Sequence, residues 1–493
     1  MRECMGRVLA CCALAIVPPF LATAAPAAAQ QPVPPADSAA VEDPFAALPP
    51  LPDSLALYGD TLAVGFDLPS AAPPPGALAL SLEEAVRLAL AESPGLGIAA
   101  LEAQRAANDA TRANAGYYPT LDATGQLAGS GNLALAGGDD APGASSGLTS
   151  ATADVTLGYT VFDGGRRGAT LERLRTEAAR LGLSAEAEAE ALAFAVTAAY
   201  LDVVRQEGLV SALEEAVALS EDRLRIEQAE VRIGTAAEID AALALSDLNA
   251  DRAALLRQVL FLTQARATLG ALLALPEPEA VAVTDTLALG PPPDLPALAA
   301  EAEAGNRRLR ALALAEDAAE AAVREVQAEF APSVRLLTGV GVGAADRGLF
   351  PAGDPGLGTD VRYGVTATLP LFDAGDRRRR VENARLRVRQ AELATEDERA
   401  FLRADVARLT AAVTRYRQLA ALEDQNRAVA RANARVALAQ LQLGFISPVD
   451  LRQVQIALLD AETRYVDAVF QARRAEAELR LLAGDLLPEG GAD

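Results

Sequence analysis

The chain has 493 residues, of which 51% are hydrophobic but only 4% aromatic, and its formal net charge is −23. Alanine, leucine, glutamate and arginine dominate, a composition typical of long helices rather than of a mixed globular core. The sequence contains no histidine, which excludes Ser-His-Asp triads, Cys-His dyads and histidine-ligated metals. No glycine-rich phosphate loop is present, and so acidic a chain is a poor partner for nucleic acid. We therefore expect neither an enzyme nor a cofactor.

The N-terminus has the pattern of a secretory signal. Two arginines precede an apolar run at 8–20, and small residues at 27–29 form a cleavage site, which predicts a signal peptide over 1–29. The run is too short to stay in a membrane as a spanning helix. All three cysteines lie inside this segment; lipidation of Cys11 is an alternative to simple cleavage. Residues 30–80 are rich in proline and alanine without any apolar period, which predicts a flexible leader.

A helix and two strands follow the leader. The capping box Ser81-Leu-Glu-Glu84 predicts a helix that runs to about Ala115, with a break at 93–95. The apolar period then changes from 3.6 to 2, and alternation over 121–127 and 153–161 predicts two strands. Each strand is about ten residues long, the length that a tilted transmembrane strand needs.

Aromatic residues cluster at the strand ends in a chain that has few of them. We interpret them as a girdle at a membrane interface, although a surface hairpin on a soluble sheet accounts for these strands equally well. The girdle candidates are Tyr117, Tyr118, Tyr159, Phe162, Tyr363 and Phe372.

A very long helix comes next. From Arg166 to Arg232 there is no proline, and one helix over this stretch would be about 100 Å long. Apolar residues recur every seven positions from Val196 to Val231, which predicts a left-handed coiled coil. Such a helix cannot fold back into a compact core, so the chain must build a rod or a tube. Gly234 ends the helix, and a return helix is predicted over 236–273.

The chain then repeats itself. Pro119 recurs as Pro332, 213 residues later, while the following landmarks recur 210 residues later. These are Phe162-Asp163 as Phe372-Asp373, Gly234 as Gly444, and Asp240 as Asp450. Two further strands are predicted over 334–342 and 361–369, then a long helix to Gln442 and a last helix ending near Ala483. We define a first repeat over 81–292, a second over 293–483, and a polar tail over 484–493.

The predicted helix lengths imply an architecture. The return helix (236–273) and the helix before the next strands (297–330) together match the outgoing helix, so each long helix should lie beside two half-length helices stacked end to end. Four strands cannot close a barrel, and open sheet edges are not tolerated in lipid. If the strands lie in a membrane, several copies of the chain must therefore share one barrel.

Ser81 to Ala483 resembles the TolC-like outer-membrane efflux proteins. The resemblance depends on the duplicated halves, the strand exits Phe162-Asp-Gly-Gly165 and Phe372-Asp-Ala-Gly375, and the Gly-x5-Asp pattern at both helical tips. It implies a mainly α fold with a small β part: a homotrimer with a twelve-stranded barrel in the outer membrane of a Gram-negative-type bacterium, joined to an α-helical tunnel through the periplasm. The function implied is a passive exit duct for efflux or type I secretion, whose tips open when a periplasmic adaptor and its inner-membrane pump engage them.

The tips carry the candidate gate residues Gly234, Asp240, Gly444 and Asp450. A carboxylate near a helix N-terminus is favoured by the helix dipole, which makes capping the simpler interpretation of both aspartates. The resemblance adds that Asp450, repeated around a threefold axis, would form a ring of negative charge that favours cations.

The sequence also departs from the family pattern at the second tip. Gln453, Leu441 and Ile446 stand where relatives can carry an acid, a tyrosine and an arginine, so we expect a weaker closing network or none. The apolar Leu443, Phe445 and Ile446 are candidates for adaptor docking, because an exposed apolar group at the end of a rod has no core to enter.

Arginines follow both strand exits, at 166–167 and 377–380. Positive charge is unfavourable at a helix N-terminus, so we expect lipid headgroups or acidic neighbours on a solvated face to hold it there. The rival to the whole channel hypothesis is an exported coiled-coil rod, structural or adhesin-like, without a pore.

Overall fold

The computed structural model describes residues 71–130, 148–347 and 356–487. The expected signal peptide (1–29) and the leader up to residue 70 lie outside these described residues. The helices are α1 (Leu82–Glu92), α2 (Pro94–Asp109), α3 (Arg166–Ile233), α4 (Glu238–Leu272), α5 (Leu295–Gly305), α6 (Arg307–Gln327), α7 (Asp376–Gln442) and α8 (Pro448–Ala483). The strands are β1 (Leu78–Leu80), β2 (Thr120–Ser130), β3 (Leu148–Phe162), β4 (Val281–Val283), β5 (Ser333–Arg347) and β6 (Gly356–Thr368).

The first helical segment begins as predicted but ends earlier. The Glu84 N–H donates to Ser81 Oγ (3.4 Å) and the Ser81 N–H to a Glu84 carboxylate oxygen (2.9 Å), so the capping box is present. The break between α1 and α2 falls at Ser93, whose hydroxyl caps α2. The expected end near Ala115 is wrong, because the Asn114 side chain donates to the Asp109 carbonyl (3.1 Å) and the chain forms turns after α2.

The two long helices predicted from the sequence are confirmed. Helix α3 has 68 residues and α7 has 67. The seven-residue repeat of α3 is buried from Val196 to Val217, with Val196, Val203 and Val210 each at most 2% exposed, and half-buried at Leu224 and Val231. Within the described residues, no helix combines the length and apolar character that crossing a membrane requires.

Each long helix has two shorter helices packed along it. Helix α3 contacts α4 towards the tip, where Ser220 Oγ donates to Asp251 (2.6 Å). Towards the strands it contacts α6, where Arg173 pairs with Glu325 (2.8 Å). Helix α7 packs in the same way against α8 and against α6. The predicted arrangement of one long helix beside two half-length helices is confirmed.

The four long strands form one antiparallel sheet in the order β2-β3-β5-β6. They contain 11, 15, 15 and 13 residues, more than the ten predicted. Strands β2 and β6 lie at opposite edges of this sheet and each has one neighbour within the chain. The main-chain groups on the outer side of each edge strand therefore face away from the rest of the sheet.

The two faces of the sheet differ in polarity. One cross-strand row places Ala123, Val155, Val340 and Val361 side by side, and the next parallel row on that face is Leu121, Leu157, Thr338 and Tyr363. The opposite face has the row Thr124, Asp154, Gly341 and Asp360. One face is thus apolar and the other polar, as the alternation in the sequence predicts.

A small parallel sheet ties the two ends of the first repeat together. Strand β1 pairs with β4. Tyr200 of α3 contacts the end of β1 and the segment that follows β4. The Tyr200 hydroxyl contacts the Leu80 carbonyl (3.0 Å) and a carboxylate oxygen of Asp285 (2.8 Å). Burial, together with this hydrogen bond, raises the pKa of Tyr200 to about 12. The phenol stays neutral and anchors the largest apolar cluster, which α1, α3 and α4 share with both strands.

Candidate functional site

Both helical hairpins turn on a glycine. Gly234 and Gly444 have φ angles of 78° and 72°, a conformation that side chains with a Cβ rarely adopt. In each tip the next residue closes the helix end: the Thr235 N–H donates to the Glu230 carbonyl and the Phe445 N–H to the Gln440 carbonyl, both over 2.9 Å. The two tips therefore share one turn geometry.

The two tip aspartates both cap the helices that follow them, and they do so unequally. The Ala237 N–H donates to Asp240 (3.2 Å), a one-sided cap. Asp450 makes a full capping box: it accepts the Ser447 N–H (3.2 Å) and hydroxyl (2.7 Å), while its own N–H donates to Ser447 Oγ (3.2 Å). Hydrogen bonds from Ser447 lower the pKa of Asp450, so this exposed carboxylate stays charged.

The second tip is the more apolar at its surface. Leu443 is 69% exposed and Phe445 is 75% exposed. Ile446 is half-buried, because it packs against Leu441 and Leu451 of its own hairpin. Leu443 and Phe445 therefore form the outer surface of this tip, and Ile446 supports it from beneath.

A network of charged side chains above the tips joins the two hairpins. Arg452 of α8 makes a bidentate contact with Asp251 of α4 (2.7 and 2.9 Å). Asp251 also accepts the Ser220 hydroxyl of α3, and Arg223 of α3 pairs with Asp247 of α4 (2.8 Å). Bidentate arginine–carboxylate pairs are among the stronger polar contacts in proteins. The first hairpin is in this way bonded to the second.

No motif of the sequence predicts this network, which is distinct from the closing network that we expect to be weaker or absent because of Leu441, Ile446 and Gln453. A signal was nonetheless available: Asp251 lies between Leu248 and Leu255, at a position of the α4 repeat where the interhelical core requires an apolar residue. A charged residue at such a position needs a buried partner. Arg452 cannot be identified as that partner from the sequence, because it lies 201 residues away.

A second buried charge lies nearby without a partner. Glu227 of α3 is 1% exposed, and neither of its carboxylate oxygens has a hydrogen-bond partner in the part of the chain that the structure describes. Burial raises its pKa, Glu230 and Asp240 act in the same direction, and Arg223 opposes them. Because Arg223 pairs with Asp247, it offsets only part of the desolvation cost of Glu227 inside the first hairpin.

The first strand exit is held by a folded-back arginine. Asp163 accepts the N–H groups of Gly165 (3.3 Å) and Arg167 (3.0 Å), which caps α3. The Arg167 guanidinium donates to the carbonyls of Thr160 (2.8 Å) and Val161 (3.1 Å). Its Cζ also lies 5.2 Å from the centre of the Tyr117 ring. The arginine thereby joins the strand end, the helix start and the preceding segment.

The second exit repeats this clamp. Asp373 caps α7 through the Arg377 N–H (3.0 Å), and the Arg377 side chain donates to the Pro370 carbonyl (2.9 Å) and lies 5.1 Å from the Phe330 ring. The side chains of Arg167 and Arg377 are 16% and 8% exposed. These two arginines are therefore folded away from solvent, whereas Arg379 and Arg380 of the second run are exposed and pair with Asp376, as the alternative of acidic neighbours on a solvated face predicts.

The remaining aromatic candidates lie at the sheet surface to different degrees. Tyr118 is 60% exposed, Tyr363 86% and Phe372 89%, while Phe162 is 48% exposed. Tyr159 is half-buried on the apolar face, and Tyr117 lies under Arg167. The girdle stays a prediction to which Tyr118, Tyr363 and Phe372 offer the largest free ring surface.

An ion pair spans the polar face of the sheet. Asp154 of β3 and Arg362 of β6 pair directly although β5 lies between their strands. Gly341 of β5 makes this possible, because a Cβ there would lie 2.3 Å from the Asp154 carboxylate. In the part of the chain that the structure describes, no cluster of three or more His, Cys, Asp or Glu side chains could hold a metal ion.

Comparison with known proteins connects this geometry to one family. The family model described as outer membrane efflux protein matches residues 85–275 and 298–485. Among solved structures, a membrane protein from Pseudomonas aeruginosa superposes with a TM-score of 0.69 at 20% identity, covering 83% of this chain and 93% of that one. No curated protein sequence matches the chain significantly.

Two other solved structures are similar to the same extent. The outer membrane protein VceC from Vibrio cholerae gives a TM-score of 0.68 at 18% identity, with 82% of this chain and 96% of that chain covered. The CmeC outer membrane channel of Campylobacter jejuni gives 0.69 at 15% identity, with 83% and 86% covered. At these identities the similarity establishes the fold.

Proposed function

The chain belongs to the outer membrane efflux protein family, and from that premise we propose that three copies of it form a passive duct through the outer membrane and the periplasm. The observation that supports the duct best is the sheet, which has one apolar face and two open edges in a single chain. A lone four-stranded sheet of this kind would leave main-chain groups unsatisfied in lipid. Three such sheets joined edge to edge form a closed twelve-stranded barrel, with the apolar face towards lipid and the polar face towards the lumen.

The helices support the same assembly. A rod made of a single chain would need its exposed apolar surface only at its ends, whereas α7 carries exposed apolar residues along much of its length. Leu386 is 55% exposed near the strands, Phe401 is 61% exposed farther along, and Val436 is 56% exposed near the tip. Apolar residues in such a line require a partner helix. A tubular assembly of copies provides one.

The resting state of the duct is closed at its tips in this proposal. The Arg452–Asp251 contact holds the second hairpin against the first, and outward rotation of either hairpin would break it. Opening would then require an external partner that contributes more free energy than this network does. Asp450 of each copy would add a ring of negative charge at the narrow end and favour cations there.

The partner that opens the tips would dock on their outer surface. Leu443 and Phe445 offer exposed apolar side chains at the end of the rod, as a periplasmic adaptor attached to an inner-membrane pump would require. A photo-crosslinking amino acid at Phe445 should capture such an adaptor in cells. The same substitution at Ser211, an exposed position far up α3, is the matched control and should capture none.

A planar lipid bilayer distinguishes the duct from the rod. The purified chain should insert and give discrete, low-conductance channels that favour cations. Arg452→Ala should raise the conductance of each channel, because it loosens the tip without changing the barrel. A protein that binds the bilayer without conducting, or that stays monomeric and water-soluble without detergent, would contradict the proposal.

A further inference from the structure

The two strand hairpins of one chain are paired in the same register. In the first hairpin Thr120 lies opposite Gly158, and in the second Ser333 lies opposite Thr368. Each residue of β2 therefore corresponds to the residue 213 positions later in β5 (Thr120 to Ser333), and each residue of β3 to the residue 210 positions later in β6 (Gly158 to Thr368). The sequence landmarks repeat with these same two offsets.

One junction between the repeats is visible inside the chain. Strand β3 ends the first hairpin, β5 begins the second, and they pair with Val155 opposite Val340 and Thr156 opposite Gly339. Beyond β6 the next strand must come from a neighbouring copy, and β2 is the strand of that copy that corresponds to β5. The β3–β5 junction is thus a template for the contact between copies.

From this template we infer that β6 of one copy pairs antiparallel with β2 of the next, with Val365 opposite Leu127 and Thr366 opposite Gln126. The inference depends on the proposed trimer and adds the register with which its copies join. The open edge of β6 in each copy is therefore covered by β2 of one neighbouring copy, and the open edge of β2 by β6 of the other neighbour.

The side chains at these positions fit that register. Val365 and Leu127 both lie on the apolar face, and they are 68% and 78% exposed in the single chain. Thr366 and Gln126 both lie on the polar face. A slip by one residue would place an apolar side chain opposite a polar one on both faces. A slip by two residues would keep the faces but depart from the template.

The helices near the tips give an independent indication of the same neighbour. Ala212 and Ile226 of α3 are buried or half-buried, Ile226 among residues of α7 and α8. Their counterparts in the second repeat, Leu422 and Val436 of α7, are 54% and 56% exposed. The same helix positions are thus shielded from solvent in the first repeat and exposed in the second.

The element that would cover α7 is identified by the same correspondence. Phe470 of α8 is 7% exposed and lies under Arg205 of α3, with 5.0 Å between the guanidinium carbon and the ring centre. Its counterpart in the first repeat is Leu260 of α4, which is 55% exposed. Helix α4 of the neighbouring copy would therefore lie on α7 as α8 lies on α3.

Towards the strands, Ile98 of α2, which is 61% exposed, corresponds to Ala311 of α6, which is 8% exposed. Helix α2 of that neighbour would cover α7 there.

Paired cysteines test the register. With the three natural cysteines replaced by serine, the double variant Thr366→Cys/Gln126→Cys should form a disulfide between copies, because directly opposed residues have Cα atoms about 4.5–5.5 Å apart. The two positions cannot bridge within one chain, since β2 and β6 are at opposite edges. Non-reducing gels should show a covalent trimer as the main product after mild oxidation.

Two register-shifted variants are the matched controls: Thr366→Cys with Thr124→Cys, and Thr366→Cys with Ala128→Cys. Their Cα atoms would be about 7–8 Å apart, outside the range for a disulfide. If light scattering in detergent shows a trimer but a shifted pair cross-links better than Thr366/Gln126, the inferred register is wrong and the duct is unaffected. If light scattering shows no trimer, the proposed function fails together with the register.

Discussion

The two long helices correspond to each other along the chain but have different surroundings. Among the described residues of α3, Ile233 at its end is the one exposed large hydrophobic residue, whereas α7 has seven. These are Leu386, Leu393, Phe401, Leu419, Leu422, Val429 and Val436. Helix α3 has neighbouring helices of its own chain on both sides, whereas one side of α7 must be covered by a second copy. The duplication thus carries information for assembly, since the open face of α7 and the open edge of β6 have covered counterparts in α3 and β3.

The two hairpin tips differ in a complementary way. The second has an apolar interior of Ala437, Leu441 and Leu451. In the first, the buried Glu227 stands at the position that corresponds to Ala437, and among the described residues its carboxylate has no hydrogen-bond partner. Apolar contacts are non-directional, while hydrogen-bonded and ion-paired groups lose much of their stabilisation when they move apart. The first hairpin is therefore the one whose position depends on its contacts with the second.

The largest expected effect concerns assembly, and it tests whether α7, unlike α3, is an interface between copies. Val429→Glu puts a carboxylate on the open stripe of α7, where the neighbouring copy would desolvate it at a cost of several kcal/mol in each copy. We expect loss of the trimer in detergent, measured by light scattering, with the helix content unchanged by circular dichroism. Val429→Thr keeps the shape of the side chain and should remain trimeric. A trimeric Val429→Glu variant would show that α7 is not an interface.

The next effect concerns the contact between the hairpins. Arg452→Ala leaves Asp251 without its bidentate partner, and breaking a buried ion pair in this way costs about 3 kcal/mol. Amide exchange in α4 near Asp251 should become faster and single-channel conductance should rise. Arg473→Ala, which removes an arginine of the same helix far from the tips, is the control and should change neither quantity. Unchanged exchange in Arg452→Ala would show that the network does not hold the first hairpin in place.

Much of the fold that the two repeats share could be predicted from the sequence, but the contacts between distant segments could not. Helix lengths, the tip glycines and the faces of the strands follow from periodicity, because a period of 2 or 3.6 determines which residues share a surface. The Asp163–Arg167 clamp did not follow, since a charge beside a helix N-terminus has a solvated alternative that only the folded chain excludes. Arg452 and Asp251 were missed for the same reason: nothing local to either residue identifies the other.

The dependence of stability on pH tests the effect of Glu227 on the first tip. Its pKa is raised in the folded protein, so the stability of the first hairpin is greatest below the ordinary carboxyl value of 4.5 and is lost as the pH rises through the folded pKa. At neutral pH, Glu227→Gln should therefore slow amide exchange around residue 227 and flatten its dependence on pH. Glu214→Gln, which removes an exposed carboxylate of the same helix away from Glu227, is the control. Faster exchange in Glu227→Gln at neutral pH would mean that the carboxylate has a stabilising partner in the assembled protein.

The smallest effect separates the two functions of Asp450. Asp450→Ala removes both a helix cap, worth about 1 kcal/mol, and a negative charge at the tip. Ser447→Ala weakens the same cap while it keeps the charge. If the charge ring selects ions, Asp450→Ala should lower the cation preference measured from reversal potentials in a salt gradient, and Ser447→Ala should leave it close to that of the natural chain. Equal loss in both variants would assign the effect to the helix cap. Unchanged selectivity in both would leave Asp450 with the same capping role that Asp240 has in the first tip, where the cap is one-sided and the carboxylate is half-buried.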